Sequence, residues 1–214
     1  MHQMNKKNIE NYIFSLKNSN GGFYLQKHFN QTTLMSSAFS IITLELVDSL
    51  NKVEITKEQN YFLKYQDEKT GFFVDPNLNL DYKKIEDIEL NYIHYQTTAF
   101  SLSALDALGM KTKYNFTFLN AFRGKEKILK FFKKIDWRNP WHESNKIMFL
   151  LQFFSYEYIV IKKEDSLDHI HTILDCLDSA QDSKTGLWGT QFKASSFASM
   201  AAAYHFLIFY KYFN

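Results

Sequence analysis

The sequence predicts an all-α protein, built as an α/α toroid or an open arc of about four helical hairpins. Three observations support this: a turn motif that recurs, apolar stretches with helical spacing, and few helix-breaking residues. The 214 residues include only two prolines and seven glycines, which is sparse punctuation for a β-rich chain of this size. Motifs that recur at a period of roughly 50 residues indicate stacked supersecondary units.

The recurring motif reads QDEKTGFF at residues 66–73 and QDSKTGLW at residues 181–188. A looser copy, KNSNGGF, lies at residues 17–23. Asp or Asn can hydrogen-bond the backbone that follows it, and Gly supplies a positive φ. Each copy is therefore predicted to be a tight turn that closes one helix and leads, after a loop, to the next.

This turn chemistry gives expectations for four residues. Gly71 and Gly186 should have positive φ, because the turn needs a backbone conformation that other residues rarely adopt. The aromatic side chains that follow the glycines, Phe72 and Trp188, should be buried between the helices of their hairpins.

Helical spacing of apolar residues predicts four helices in the first half of the chain, at residues 8–16, 33–50, 56–66 and 92–108. Thr56 and Gln59 have the spacing of a capping box, and Gly109 is a natural C-terminal cap. The segments SSAFS at 36–40 and TTAFS at 97–101 align, which supports a duplication.

The second half predicts helices at residues 116–135, 143–160, 166–180 and 194–213. Its first hairpin turns at Pro140 instead of a glycine, because a proline forces the preceding residue out of the helical region. The predicted repeat units are residues 8–51, 56–109, 115–160 and 166–214, within a single domain spanning residues 1–214.

Charge predicts which helix of each hairpin is buried. The first helices carry most of the charged residues, and the second helices carry almost none. A helix that is apolar all round is buried, whereas a helix with one apolar stripe covers it. We therefore expect the second helices to form an inner layer and the first helices an outer layer.

Composition narrows the possible functions. A net charge of +2 indicates no general attraction to nucleic acid, and the lone Cys176 excludes an internal disulfide or a cysteine zinc cluster. The longest apolar run, residues 197–210, is too short for a membrane span, and no hydrophobic signal region is seen at the start. These features predict a cytoplasmic protein without a transmembrane segment, a metal site or a cofactor, and 17% aromatic residues predict an aromatic core or a ring-lined cavity.

The richest candidate site is the stretch from Trp137 to Asn145. In the functional interpretation Trp141 stacks on a ligand while His142 and Glu143 act as acid and base. In the alternative interpretation both tryptophans fill hairpin corners, and Glu143 complements the helix dipole.

Further candidates lie on the other second helices. His94 and Tyr95 occupy the corresponding place in the second hairpin, and Tyr204 and His205 lie in the last helix. Together with Trp137, Trp141 and Asn145 they predict a polar, aromatic ligand pocket, with His94 and His142 opening into one shared cavity. The alternative is that these histidines are satisfied core residues.

A basic stripe runs along the predicted helix at residues 116–135. Arg123, Lys127, Lys130 and Lys134 fall at helical spacing on one face. Such a stripe could lie on an anionic membrane surface or bind phosphates, or it could be the solvated face of an outer helix.

The repeated corners resemble those of the prenyltransferase and squalene-cyclase repeat superfamily, whose α/α barrels place a Gln, an Asp-Gly-type turn and an aromatic at each corner. The resemblance implies a toroid, which in the family usually has about six hairpins. With four hairpins, we expect an open arc, an arc that pairs with another copy or a second toroid segment, or part of a longer chain. It does not imply the family's chemistry. The acidic cluster at residues 86–89 lacks the cyclase spacing, and Cys176 lies on a predicted outer helix, away from a zinc site.

Three functions follow. The first is a domain that binds an isoprenoid, lipid-linked or carbohydrate ligand in an aromatic central cavity. The second is a non-metal enzyme acting on such a ligand through His142 and Glu143, or His94, in the manner of a terpenoid cyclase, a prenyltransferase or a carbohydrate-active enzyme. The third is a protein–protein scaffold that uses its open helical edges. The missing catalytic signatures disfavour the second, and the aromatic corners favour the first.

Overall fold

A computed structural model describes residues 2–76 and 84–213, with side chains from Asn5 onward. Apart from isolated β-bridges, regular structure in these residues is helical, which confirms the all-α prediction. The α-helices are α1 (His2–Phe14), α2 (Leu34–Leu46), α3 (Ile55–Lys64), α4 (Tyr92–Ala107), α5 (Lys125–Phe132), α6 (Pro140–Tyr156), α7 (Asp165–Ala180) and α8 (Ser196–Phe213).

The chain forms two compact units. The first comprises Met1–Lys84 and Asn91–Phe118, and the second comprises Ile85–Leu90 and Leu119–Asn214. In the first unit α2 packs on α4, and in the second α6 packs on α7 and α8 while α5 packs on α7. Within each unit, then, the second helix of one hairpin contacts the second helix of the next. The single domain and the toroid or arc stay predictions.

The three turn motifs form the predicted tight corners. Each is closed by an isolated antiparallel bridge, Lys17 with Phe23, Gln66 with Phe73, and Gln181 with Trp188. We call them the first, second and third corners in chain order. Gly71 has a φ of 83° and Gly186 a φ of 68°, so the expected positive values are confirmed.

The aromatic residues of the corners are buried, as predicted. Phe72 is 0% exposed and Trp188 is 2% exposed. The Phe72 ring stacks on Phe118 with centroids 4.0 Å apart. The indole N–H of Trp188 donates to the Leu177 carbonyl at 2.8 Å, and its ring meets Phe206 edge-on at 5.0 Å. Trp188 is therefore held between α7 and α8.

Helix capping agrees with the sequence at Gly109, which has a φ of 68° directly after α4. It differs at the start of α3. That helix begins at Ile55, and its N-cap residue Glu54 makes no side-chain capping bond, so the predicted capping box of Thr56 and Gln59 is wrong. The Gln59 amide instead donates to the Leu108 carbonyl at 2.8 Å, which joins α3 to the end of α4.

The predicted helix at residues 116–135 is broken. A 3-10 turn spans Thr117–Ala121, and α5 begins only after Gly124. Gly124 has a φ of 97°, which an α-helix cannot accommodate. Pro140 behaves as expected, since Asn139 before it has φ −122° and ψ 63°, outside the helical region.

The prediction that every second helix is buried is wrong for α8. One face of α8 packs in the second unit, but large apolar side chains on its other face, such as Phe197 and Tyr204, are exposed. A sequence that is apolar all round a helix does not predict which element packs on each face. Among the described residues, nothing packs on the exposed face of α8.

Candidate functional site

A cavity of about 550 Å³ lies in the second unit, between residues 86–89, α5 with the turn after it, and the first half of α6. Three kinds of side chain line it: acidic Glu86, Asp87, Glu89 and Glu143; basic Lys127, Lys130, Lys134 and Lys146; and apolar Ile88, Ala121, Phe122, Phe131 and Ile135. Residues 86–89 form its acidic wall, Lys127, Lys130 and Lys134 form its basic wall, and apolar side chains share the lining.

The acidic wall is held by its own local structure. Ile88 is 3% exposed and anchors the segment in the unit. The Leu90 N–H donates to the Asp87 carboxylate at 3.2 Å. With Ile88 buried, the acidic residues on either side of it are left at the cavity.

The basic wall comes from α5 and the turn after it. Ile128 is fully buried on one side of α5, which places Lys127, Lys130 and Lys134 at the cavity. The Lys127 ammonium donates to the Asn120 carbonyl at 2.8 Å. Arg123, the first residue of the predicted stripe, has another role, because its guanidinium pairs with Glu157.

The cluster at the start of α6 contains both predicted catalytic residues. The His142 Nε2 lies 2.9 Å from a Glu89 carboxylate oxygen. The Lys146 ammonium lies 2.7 Å from Glu89 and 2.8 Å from Glu143. Lys146 therefore joins the acidic wall to α6.

These contacts shift two pKa values. Hydrogen bonds from Lys146 and then from His142 hold the pKa of Glu89 below its ordinary range. Burial alone would lower the pKa of Lys146, but its hydrogen bonds to Glu143 and Glu89 outweigh that and raise it. Both groups are thus held in their charged forms.

Three side chains of the cluster have the donor types of a metal site. One ligand atom each of Glu89, His142 and Glu143 lies within 4.8 Å of the other two, and an imidazole with carboxylates suits several divalent ions. The Lys146 ammonium, however, already bridges the two carboxylates. The group is therefore an ion-pair network with its own cation.

Of the predicted catalytic pair, Glu143 is 7% exposed and bound to Lys146. His142 is more accessible, with 37% of its side chain exposed. A carboxylate beside an imidazole can orient its ring. His142 does not itself line the cavity, whereas Glu143 and its contact Glu89 do.

Trp141 and Asn145 lie on α6 near α8. Trp141 is 47% exposed, and its ring meets Phe197 of α8 edge-on at 5.5 Å. The Asn145 amide donates to the Trp141 carbonyl at 2.9 Å. Neither residue lines the cavity, because successive residues of a helix point in different directions.

Of the two predicted site residues on α8, His205 packs against α6 and Tyr204 is exposed. The His205 Nδ1 lies 2.8 Å from the Ser144 hydroxyl, and burial lowers the pKa of His205. Tyr204 is 78% exposed. His205 therefore joins α8 to α6, whereas Tyr204 projects from the surface.

Trp137 lies in a separate groove. This groove has a volume of about 440 Å³ and runs between α5 and α7, where Lys125, Lys133 and Cys176 also line it. Trp137 thus lies beside the outer helices of the second unit instead of the α6–α8 face.

His94 and Tyr95 belong to the first unit. Tyr95 is fully buried, with its ring 4.9 Å from Phe72 and 5.4 Å from Phe118. His94 is 7% exposed and lies 6.4 Å from the Phe72 ring. Their surroundings fit the alternative in which they are core residues, and the cavity shared by His94 and His142 stays a prediction.

No protein-family model, curated protein or solved structure matches this chain. The likeness to the prenyltransferase and squalene-cyclase superfamily therefore stays a prediction. Among the described helices, none has the length and apolar character needed to cross a membrane.

Sequence reasoning missed two residues of these sites. Lys146 could have been found, because it follows Glu143 by three positions on a helix, the spacing of an ion pair. Phe197 carried no such signal, since its contact with Trp141 joins residues that only tertiary packing brings together.

Proposed function

We propose that this chain is a helical-repeat binding domain of the α/α-toroid kind, and that it holds a carbohydrate with an anionic group. A sugar phosphate at the head of a lipid-linked glycan is such a ligand. The observation that carries the proposal is a cavity whose lining combines a lysine wall, a carboxylate wall and apolar side chains. A bare isoprenoid fits this cavity less well, because it would desolvate charged groups without pairing them.

Each wall suits one part of such a ligand. Lys127, Lys130 and Lys134 offer ammonium donors on one face, which suit phosphate or carboxylate oxygens. Glu86 and Asp87 can accept hydrogen bonds from sugar hydroxyls. Phe131, also in the lining, supplies an apolar surface for the C–H face of a sugar ring.

Titration calorimetry on the full chain tests this proposal, with glucose 1-phosphate, glucose and inorganic phosphate as probes. We expect glucose 1-phosphate to bind most tightly. The double variant Lys130→Glu/Lys134→Glu should weaken that binding by at least about tenfold, which corresponds to 1.4 kcal/mol.

A matched control lies in the same segment, α5 and the turn after it. Lys125→Glu/Lys133→Glu makes the same charge change at residues that line the other groove. Binding should be unchanged in this control. Equal losses in both double variants would indicate a general charge effect, and the cavity would not be the site.

The contact between Glu89 and His142 favours a second candidate, in which the same ligand is also a substrate for acid–base catalysis. His142→Gln should then abolish hydrolysis of glucose 1-phosphate by water to glucose and phosphate, measured as released phosphate, while binding of glucose 1-phosphate persists. If the unmodified chain released no phosphate, the enzyme candidate would be excluded and only the binding function would remain.

A further inference from the structure

An exposed apolar stripe runs the length of α8. Its members are Phe197, Met200, Tyr204, Leu207, Ile208 and Tyr212, each between 49% and 78% exposed. They recur every three or four residues, so they share one side of the helix. The opposite side, which includes Ala202 and Phe206, is buried, and α8 packs there on α6.

We propose that this stripe is the interface with a second copy of the chain, formed by two α8 helices packed antiparallel about a two-fold axis. The area fits such an interface. At their exposed fractions, the six side chains present about 700 Å², given 150–250 Å² for a whole aromatic side chain. A standard interface buries about 800 Å² per partner. The largest apolar patch on a typical monomer is only about 300–600 Å².

The charge of the stripe does not oppose association with a second copy. The stripe contains no acidic residue, and Lys211 follows Leu207 by four positions on the same side, near the end of α8. Because a two-fold axis joins the same patch on both copies, antiparallel helices keep the two Lys211 side chains at opposite ends of the contact. Tyr204, near the middle of the stripe, meets its own counterpart at the axis.

A membrane surface is a poorer occupant. Helices that lie on membranes carry Lys and Arg on their polar face, opposite the apolar one. The face of α8 opposite the stripe is instead packed in the protein, and α8 has one basic residue, Lys211. The helix has two apolar faces, which suits burial between protein elements.

The interface also accounts for the exposure of two residues predicted to bind a ligand. Tyr204 is the most exposed member of the stripe, and Trp141 contacts Phe197 at its first turn. Association of two copies would cover both. The α8 stripe shares no residue with the lining of the sugar-phosphate cavity, so a dimer formed through it does not depend on that cavity.

Sedimentation equilibrium on the full chain, from about 1 to 100 μM, measures the association directly. The chain mass is 25.4 kDa, and we expect it to double as concentration rises. Leu207→Glu should weaken the dimer at least about tenfold, because it places a charge in an apolar interface. The matched control is Leu46→Glu on α2, a leucine that is 78% exposed, and it should leave the dimer unchanged.

Cross-linking tests the two-fold axis. Tyr204→Cys combined with Cys176→Ala should form a covalent dimer on oxidation, because the axis brings the two residues within disulfide range. Ser196→Cys in the same background should not, because antiparallel packing keeps the two Ser196 residues, at the first turn of α8, at opposite ends of the contact. Circular dichroism establishes that each variant is folded.

Three results would overturn the proposal. They are a monomer across the whole concentration range, a dimer that Leu207→Glu does not weaken, and a monomer whose α8 binds phosphatidylcholine–phosphatidylglycerol vesicles instead.

Discussion

The second and third corners share five of eight residues, yet their surroundings differ. In the second corner, the Gln66 side chain accepts hydrogen bonds from the N–H groups of Lys113 and Tyr114 and donates to the Tyr114 carbonyl, all within 2.9 Å. In the third corner, the Gln181 amide donates to the Gly186 carbonyl of its own turn. The same glutamine thus joins the next segment of chain in one case and stays local in the other.

The glycines show the same difference. A Cβ atom added to Gly71 would lie 2.3 Å from the Asn115 carbonyl oxygen, whereas one added to Gly186 would meet no described atom within 4 Å. The motif therefore encodes a turn by itself. Docking, by which we mean packing of the turn against a later segment of the chain, is seen in the second corner, where residues 113–116 contact it.

The largest effect should be common to both corners. Phe72→Ala and Trp188→Ala each empty a fully packed site, so each should lower the free energy of unfolding by about 3–5 kcal/mol. Urea unfolding followed by circular dichroism measures this. Leu187→Ala, at a half-buried residue of the third corner, is the control and should cost less. A loss below about 1 kcal/mol in Trp188→Ala would mean that this corner does not anchor its hairpin.

The next effect should separate the corners. Gly186→Ala imposes a positive φ on alanine in open space, at a cost of about 1–2 kcal/mol. Gly71→Ala adds a clash with backbone and should cost about 3 kcal/mol or more. Equal costs in urea unfolding would contradict the difference in docking.

A smaller separation should follow from the glutamines. Gln66→Ala leaves the backbone groups of Lys113 and Tyr114 without their partner and should cost about 1–3 kcal/mol. Gln181→Ala removes one exposed hydrogen bond and should cost at most about 1 kcal/mol. The comparison uses the same unfolding assay, and a costlier Gln181→Ala would reverse our account of the two corners.

The smallest effect concerns the first corner, where the Gly22 N–H donates to the buried Glu58 carboxylate at 2.7 Å. Burial raises the pKa of Glu58 above its ordinary value of 4.5. The folded state therefore holds this proton more tightly than the unfolded state, and stability falls as pH rises from 4.5 through the raised pKa.

Glu58→Gln removes this titration but keeps an oxygen that accepts the Gly22 N–H. We expect the melting temperature of Glu58→Gln, relative to that of the unmodified protein at the same pH, to increase as pH rises from about 4 to 8. The exposed Glu54 is a control of opposite sign, because a hydrogen bond from Lys57 lowers its pKa. A difference between Glu58→Gln and the unmodified protein that does not change with pH would contradict the assignment.

Sequence could predict the corners because their chemistry is local: the glycine, the Asp and the following aromatic lie within a few residues. It could not predict the break at Gly124, since the apolar pattern continues on both sides of it. The pair of Glu89 and His142 joins residues 53 positions apart, and no local spacing reports such a contact. Sequence also predicted that α8 is apolar all round, but not which of its faces the chain itself covers.

The same difference in contacts should make the two corners differ in their susceptibility to proteolysis. The Lys69 carbonyl accepts a hydrogen bond from the Thr117 hydroxyl at 2.5 Å, so the peptide bond after Lys69 is fixed to the next segment. Lys184 and Thr185 lie in an exposed turn, and such turns are preferred sites of nicking. Brief trypsin treatment should therefore cut after Lys184 well before Lys69, and the first fragments would show which hairpin corner the fold leaves open.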